Sequence, residues 1–250
     1  MTNPSLAAPG AAPVPAARPS AAPPSLATGL GWLLPLAILA VAAALVRAIW
    51  FTPVEAMQGP AQKIFYVHVP SAFIALYVST PILAATSALY LWLKDPRLDR
   101  MAETATEVGV VFMSVVLVTG PLWGRPVWGT WWTWDARLTL TLFLFFIFVG
   151  YLVMRGAIEE PEQRGRFSAV LGILAMLLVP FIHLSVYLFR TLHPQPIVLK
   201  PDRPSLPPEM LLTLGLSFAA FLLLFAALLR TRYRWATERD LLAERLGAEG

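Results

Sequence analysis

Leu138-Thr-Leu-Thr-Leu-Phe-Leu-Phe-Phe-Ile-Phe-Val-Gly-Tyr-Leu-Val-Met154 lies between Arg137 and Arg155 without a single charged side chain. A bilayer core takes about 20 predominantly apolar residues per helix. Five further blocks of the same kind flank this one. Together the six run over roughly 30–51, 66–93, 104–123, 137–157, 168–189 and 209–230. At about 1.5 Å of rise per residue, each is long enough to cross the hydrocarbon. Composition agrees, with 57% hydrophobic and only 14% charged residues in the 250. That is too apolar for an ordinary soluble domain. Trp32, Trp50, Trp92 and Trp235 stand at block ends, where an interfacial belt is expected. The expected fold class is all-α, an integral membrane bundle of six transmembrane helices.

The rest of the chain divides around that bundle. Residues 1–27 are rich in Ala, Pro and Ser, carry only Arg18 as a charge, and are expected to stay disordered. A basic n-region is missing and the apolar stretch comes late, so the first block reads as a retained helix rather than a signal peptide. Residues 28–231 form the transmembrane domain, and 232–250 form a charged, helix-compatible tail. Arg18, Lys94, Arg97, Arg100, Arg155, Arg164, Arg166, Arg230, Arg232, Arg234, Arg239 and Arg245 fall on one side, 12 in all. Seven (Arg47, Lys63, Arg125, Arg137, Arg190, Lys200 and Arg203) fall on the other. The richer side is expected in the cytoplasm, with both termini. Loops near 52–65, 124–136 and 190–208 are then external.

The absence of cysteine excludes disulfides, thiolate metal sites, a thiol nucleophile and the C-x-x-C-H haem attachment motif. The net charge of +4 shows no basic stripe, and no nucleic-acid module is present. No phosphate-binding G-x-x-x-x-G-K-[ST] loop occurs, so any ATP hydrolysis belongs to a partner. No catalytic triad stands out.

The external segment between the third and fourth blocks is the most unusual. Trp123-Gly-Arg-Pro-Val-Trp-Gly-Thr-Trp-Trp-Thr-Trp-Asp135-Ala-Arg137-Leu-Thr139 holds five of the nine tryptophans. Trp123, Trp128, Trp131, Trp132 and Trp134 are either a dense interfacial belt or an aromatic platform for a large, flat, partly apolar ligand. Asp135 is placed to cap the following helix or to join that platform. Arg125, Arg137, Arg190 and Lys63 are interfacial charges or partners for ligand carboxylates. The three histidines bear on the choice. His68 and His193 share the external level of the tryptophans, one on each side in sequence, where two neutral imidazoles could serve as axial ligands of a haem iron. His183 lies inside the fifth block, about 10 Å below its external end. It is a packed histidine, a competing second ligand or part of a haem route.

The run 128–139, Trp-Gly-Thr-Trp-Trp-Thr-Trp-Asp-Ala-Arg-Leu-Thr, resembles the "WWD" signature of haem-handling membrane proteins. The segments Lys63-Ile-Phe-Tyr-Val-His68-Val-Pro-Ser-Ala, Pro180-Phe-Ile-His183-Leu-Ser-Val and Thr191-Leu-His193 are similar to the CcmC family of the cytochrome c maturation system. The resemblance spans roughly 30–231. It implies six spans in a bacterial inner membrane and a periplasmic Trp-rich loop. It also implies non-covalent haem b in transit, presented to the haem chaperone CcmE with CcmA, CcmB and CcmD as partners. By motif, His68 and His193 would ligate iron, with His183 the alternative second ligand. Trp123, Trp128, Trp131, Trp132, Trp134 and Asp135 would form the haem and chaperone platform. Leu188 and Phe189 stand where the family often carries a tryptophan pair, and Pro194 follows His193 where a polar residue is expected. Two rival roles share these features. One is a channel subunit that itself exports haem, the other a haem-ligation protein of the CcmF or CcsA type, which is generally larger. A scaffold with a tryptophan belt and no ligand is the third rival.

Overall fold

The computed structural model describes residues 31–195, 197, 198, 200 and 205–248. The reading of 1–27 as a disordered tail falls outside them. The described residues are helices joined by short connections, with no strand among them. Six helical stretches are long and apolar enough to cross a bilayer: Leu33–Phe51, Pro60–Leu93, Pro96–Trp128, Ala136–Ala157, Pro161–Leu188 and Pro208–Leu246. The chain is therefore a multi-pass membrane protein. Each stretch coincides with one of the six apolar blocks, and most extend beyond them.

The elements are α1 (Leu33–Val46) with a π-turn at Arg47–Phe51, a 3-10 turn at Pro60–Ile64, α2 (Phe65–Phe73), a π-turn at Ile74–Ser79 and α3 (Thr80–Leu93). There follow α4 (Pro96–Trp128), α5 (Ala136–Ala157), α6 (Pro161–Leu188) and α7 (Pro208–Ala248). The second span is thus α2, a π-turn and α3 in series. Local chemistry sets the ends. Asp95, Asp135 and Glu160 cap α4, α5 and α6 by accepting backbone N–H groups of the first turn. Pro96 and Pro161 open their helices where an N–H would be orphaned anyway.

The third span departs from its expected end at 123. It continues through Pro121 and Pro126 to Trp128 and stops at Gly129, whose φ of 78° is open to glycine at little cost. Trp123, Arg125 and Trp128 are therefore helical residues on the last turns of α4. The connection to α5 is only Gly129–Asp135.

α4 runs through the middle, packed on α2, α3, α5 and α7, while α6 lies across from it against α3 and α5. α1 packs on α7. The core joins Ile74, Leu83, Phe112, Met113, Leu144, Phe148, Ile182 and Phe225. Without a hydrophobic drive between helices in lipid, small residues decide how closely the backbones approach. At Gly109 a Cβ would lie 2.4 Å from Ser79 Oγ and 2.5 Å from Phe148 Cε2, so α4 meets both neighbours only as glycine. A second cluster of Ala48, Phe65, Tyr66 and Leu214 takes in Trp123, Val198 and Leu206, which brings the last two against the tryptophan end.

At the opposite end, Asp99, Glu103 and Glu107 project from α4 at four-residue spacing. Arg155 of α5 holds Asp99 through two bonds of 2.6 and 2.8 Å and reaches Glu103 at 3.2 Å. Arg239 of α7 grips the same Glu103 at 2.9 and 3.0 Å, Arg232 grips Glu107, and Arg100 bonds Asp240 at 2.9 Å. The charged 232–248 stretch is the continuation of α7, tied to α4 by these pairs.

Candidate functional site

His68 sits in the first turn of α2 and is only 9% exposed. Its Nδ1 lies 2.9 Å from Thr119 Oγ1 on α4. The Thr119 hydroxyl has one proton, and its 2.6 Å bond to the Val115 carbonyl uses it. Toward His68 the hydroxyl must accept, so Nδ1 carries the hydrogen and Nε2 keeps a lone pair. An imidazole held through its far N–H is the usual arrangement of a metal ligand. Trp123, one turn beyond Thr119, packs edge-on to His68 with ring centroids 5.8 Å apart. The indole N–H of Trp123 donates to Gln58 Oε1 at 2.9 Å, and Gln58 is itself held by its backbone N–H to Glu55 Oε2 at 2.6 Å. The 52–59 loop thereby fixes the orientation of this ring.

His193 reaches the same region from the connection after α6. Its Nδ1 is 2.9 Å from the Pro194 carbonyl, which can only accept. Here too Nδ1 carries the hydrogen and Nε2 is left with its lone pair. Trp128 stands beside it, with centroids 6.4 Å apart. Burial, reinforced by the positive charge of Arg137, pushes the His193 imidazole down to about 3, so it is neutral near pH 7. His68 and Asp135 also act on it, which puts both histidines and the start of α5 in one electrostatic neighbourhood.

Arg137 is half-buried at the first turn of α5. Its Nη1 donates to the Ile182 carbonyl of α6 over a long 3.4 Å. Among the described residues the ion pairs all lie at the charged end, and none includes Arg137 or Arg125. A partly buried guanidinium without a carboxylate is suited to receive one from a ligand. Lys63 instead donates to the Thr52 and Pro53 carbonyls, and Arg125 turns back on the Gly129 carbonyl. Asp135 caps α5 through Leu138 N–H at 3.0 Å and accepts from Thr133 Oγ1 at 3.0 Å.

Among the described residues the remaining tryptophans make no ring contact with His68 or His193. Trp131 and Trp134 are 56% and 77% exposed. Trp132 packs edge-on to Trp134 at 5.8 Å, and its buried indole N–H has no protein partner among the described residues. Trp134 also heads an apolar groove of about 500 Å³ between α5 and α6, with Phe181, Leu188 and Phe189. His183 lies on the outward face of α6, and its Nδ1 is 2.8 Å from the Tyr77 hydroxyl.

The tryptophan end thus brings together two imidazole lone pairs, two indole rings and a half-buried guanidinium, beside an exposed aromatic rim. It could bind a flat, apolar, carboxylate-bearing ligand with a metal at its centre. Thr119 and Gln58 complete the arrangement, Tyr77 holds His183 apart from it, and none of the three was singled out in the sequence. Each lies 51 or more residues from the side chain it holds, so no spacing could have announced it.

A family profile described as "Heme exporter protein C" matches residues 15–245. The chain is 36% identical over 219 residues to a protein of that name from Escherichia coli K12, covering 86% of this chain and 87% of that one. A Haemophilus influenzae protein of the same name is 36% identical over 200 residues, 80% of each chain. One from Rhodobacter capsulatus is 33% identical over 220 residues, 88% of this chain and 89% of that one.

Proposed function

The chain belongs to the heme exporter protein C family, and from that premise we propose that it holds haem between His68 and His193 and presents it for cytochrome c maturation. Haem is the cargo and brings its own reactivity, so the protein's part is binding, orientation and release. The observation that carries the reading is the shared protonation of the two histidines. Thr119 and the Pro194 carbonyl each take an Nδ1 hydrogen, which leaves two Nε2 lone pairs beside Trp123 and Trp128.

In this reading His68 and His193 bind b-type haem iron axially and without a covalent bond to the porphyrin. Trp123 and Trp128 bound the porphyrin, and Arg137 receives a propionate in a charge-assisted bond, with Arg125 at the margin. With both axial positions taken, no site is left open for oxygen chemistry. The exposed Trp131 and Trp134, with Trp132 and Asp135 behind them, form the surface on which the haem chaperone CcmE docks to collect its cargo. CcmA, CcmB and CcmD are the remaining partners. The Lys and Arg bias supports a bacterial inner-membrane protein with both termini in the cytoplasm and the tryptophan end in the periplasm.

The test is the absorption spectrum of the purified full-length protein titrated with haemin. Wild type is expected to give a six-coordinate, low-spin spectrum. His68→Ala and His193→Ala are each expected to lose it, and His183→Ala to retain it at saturation. A low-spin spectrum unchanged in His68→Ala would overturn the ligand assignment, and no haemin binding by wild type would overturn the function.

A further inference from the structure

The Tyr77–His183 pair has no part in the site described above. The second span contains a π-turn at Ile74–Ser79, and Tyr77 lies within it. On its charged-end side, α3 packs against α4 and α6. On its tryptophan-end side, α2 packs against α4 and α7 instead. The span therefore parts from α6 at the π-turn. π-turns are rare and concentrate at functional sites. The Tyr77 hydroxyl bridges the two spans at this point, 2.8 Å from His183 Nδ1. The Phe73 ring is tilted against Tyr77, with centroids 5.5 Å apart, and Tyr187 flanks His183 at 6.2 Å.

His183 lies about 8 Å of helix below the end of α6. Ionisable side chains at such depth normally face the bundle interior. His183 faces outward, as does Tyr187, which is 51% exposed. One hydroxyl at Nδ1 orients the ring, and no described group bonds Nε2. In the tautomer with the hydrogen on Nδ1, the Tyr77 oxygen accepts it and Nε2 keeps the lone pair that a metal ligand needs. Arg137 donates to the carbonyl of Ile182, the residue before His183, and its charge acts on Tyr77 and Tyr187. The same charge acts on His68 and His193. One guanidinium thus serves both places.

The geometry points to His183 as a second haem station, a five-coordinate site on the outward face of α6 beside Tyr77, from which haem passes to the His68–His193 pair. The inference rests on haem being the cargo of that pair. During the passage the iron–Nε2 bond to His183 breaks and bonds to Nε2 of His68 and His193 form. No electron is exchanged and no proton need leave. A propionate held by Arg137 lets the porphyrin change ligands without being released.

The experiment uses the full chain in nanodiscs, with haemin supplied from phosphatidylcholine vesicles. The His68→Ala/His193→Ala variant is expected to bind one haemin with a high-spin, five-coordinate spectrum that added imidazole turns low-spin. Adding His183→Ala to that variant should abolish binding. Tyr77→Phe, which keeps the ring and the packing, should weaken it about tenfold. In the otherwise wild-type chain, loading should pass from a high-spin to a low-spin spectrum, and His183→Ala should slow it about tenfold with the final spectrum unchanged. The inference fails if the double variant binds no haemin, or binds it whether or not His183 is present, while wild type still gives its low-spin spectrum. It fails equally if His183→Ala leaves loading unchanged and instead weakens co-purification of another membrane subunit, because this face then seats a helix. If wild type binds no haemin, the bis-histidine reading falls with it.

Discussion

The two ends of the bundle use the same kinds of side chain in opposite ways. At the charged end, Asp99, Glu103 and Glu107 of α4 meet Arg155, Arg239 and Arg232 from α5 and α7, several of them through paired bonds. At the tryptophan end, Arg137 is half-buried with one long bond to a carbonyl, and two imidazoles keep a lone pair with no described partner. Charge satisfied within the chain ties helices together. Charge and lone pairs left open are a cost in the free protein that a ligand can offset. The first end is built to hold the bundle, the second to bind.

Cutting into the charged end should break this contrast with the largest effect. Arg155→Ala leaves Asp99 and Glu103 short of a buried partner, and should destabilise the protein by about 3–5 kcal/mol. Reversible unfolding in mixed micelles would measure this, and haemin affinity of the remaining folded protein should hardly change. At the tryptophan end the signs reverse. Arg137→Ala should leave stability nearly unchanged and weaken haemin binding by about 1.5–3 kcal/mol, the worth of a hydrogen bond to a charged group. Titration would read it, and Arg137→Lys should recover only part, because a lysine lacks the planar fork.

Thr119→Val is a finer cut, since it removes the acceptor of the His68 N–H and keeps the shape. Haemin affinity should fall about tenfold and the iron reduction potential should shift, while Thr119→Ser restores both. The smallest effect is expected at the exposed rim. Trp131→Ala should change haemin affinity by no more than about 0.5 kcal/mol, yet slow haem transfer to purified CcmE in stopped-flow mixing. If transfer is unaffected, the rim is an interfacial belt and the platform reading is confined to Trp123 and Trp128.

Much of the fold was legible because it depends on properties of contiguous residues. The run 138–154 and its five counterparts identify six spans by length and apolarity alone, and Asp135 before Ala136 reads as a cap, the role it takes. The end of α4 was not legible. Two prolines and a cluster of tryptophans look like a loop, yet the helix persists to Gly129, because prolines are tolerated in a span whose neighbours support it. The acidic ladder Asp99, Glu103, Glu107 was not singled out in the sequence, because its partners lie 52 to 136 residues away.

What the sequence determined by itself is therefore the set of spans and the inventory of the site: three histidines, a tryptophan-rich turn and a few cations at one level. Those follow from local hydropathy and from the alternation of connections between two ends. Only the tertiary structure decided how the inventory is used. It brings Thr119 under His68 to set which nitrogen carries the proton, holds Arg137 against the Ile182 carbonyl of α6 outside any ion pair among the described residues, and turns His183 outward onto Tyr77. A proton's position on an imidazole depends on one acceptor a few ångströms away, and that acceptor is supplied by a different helix.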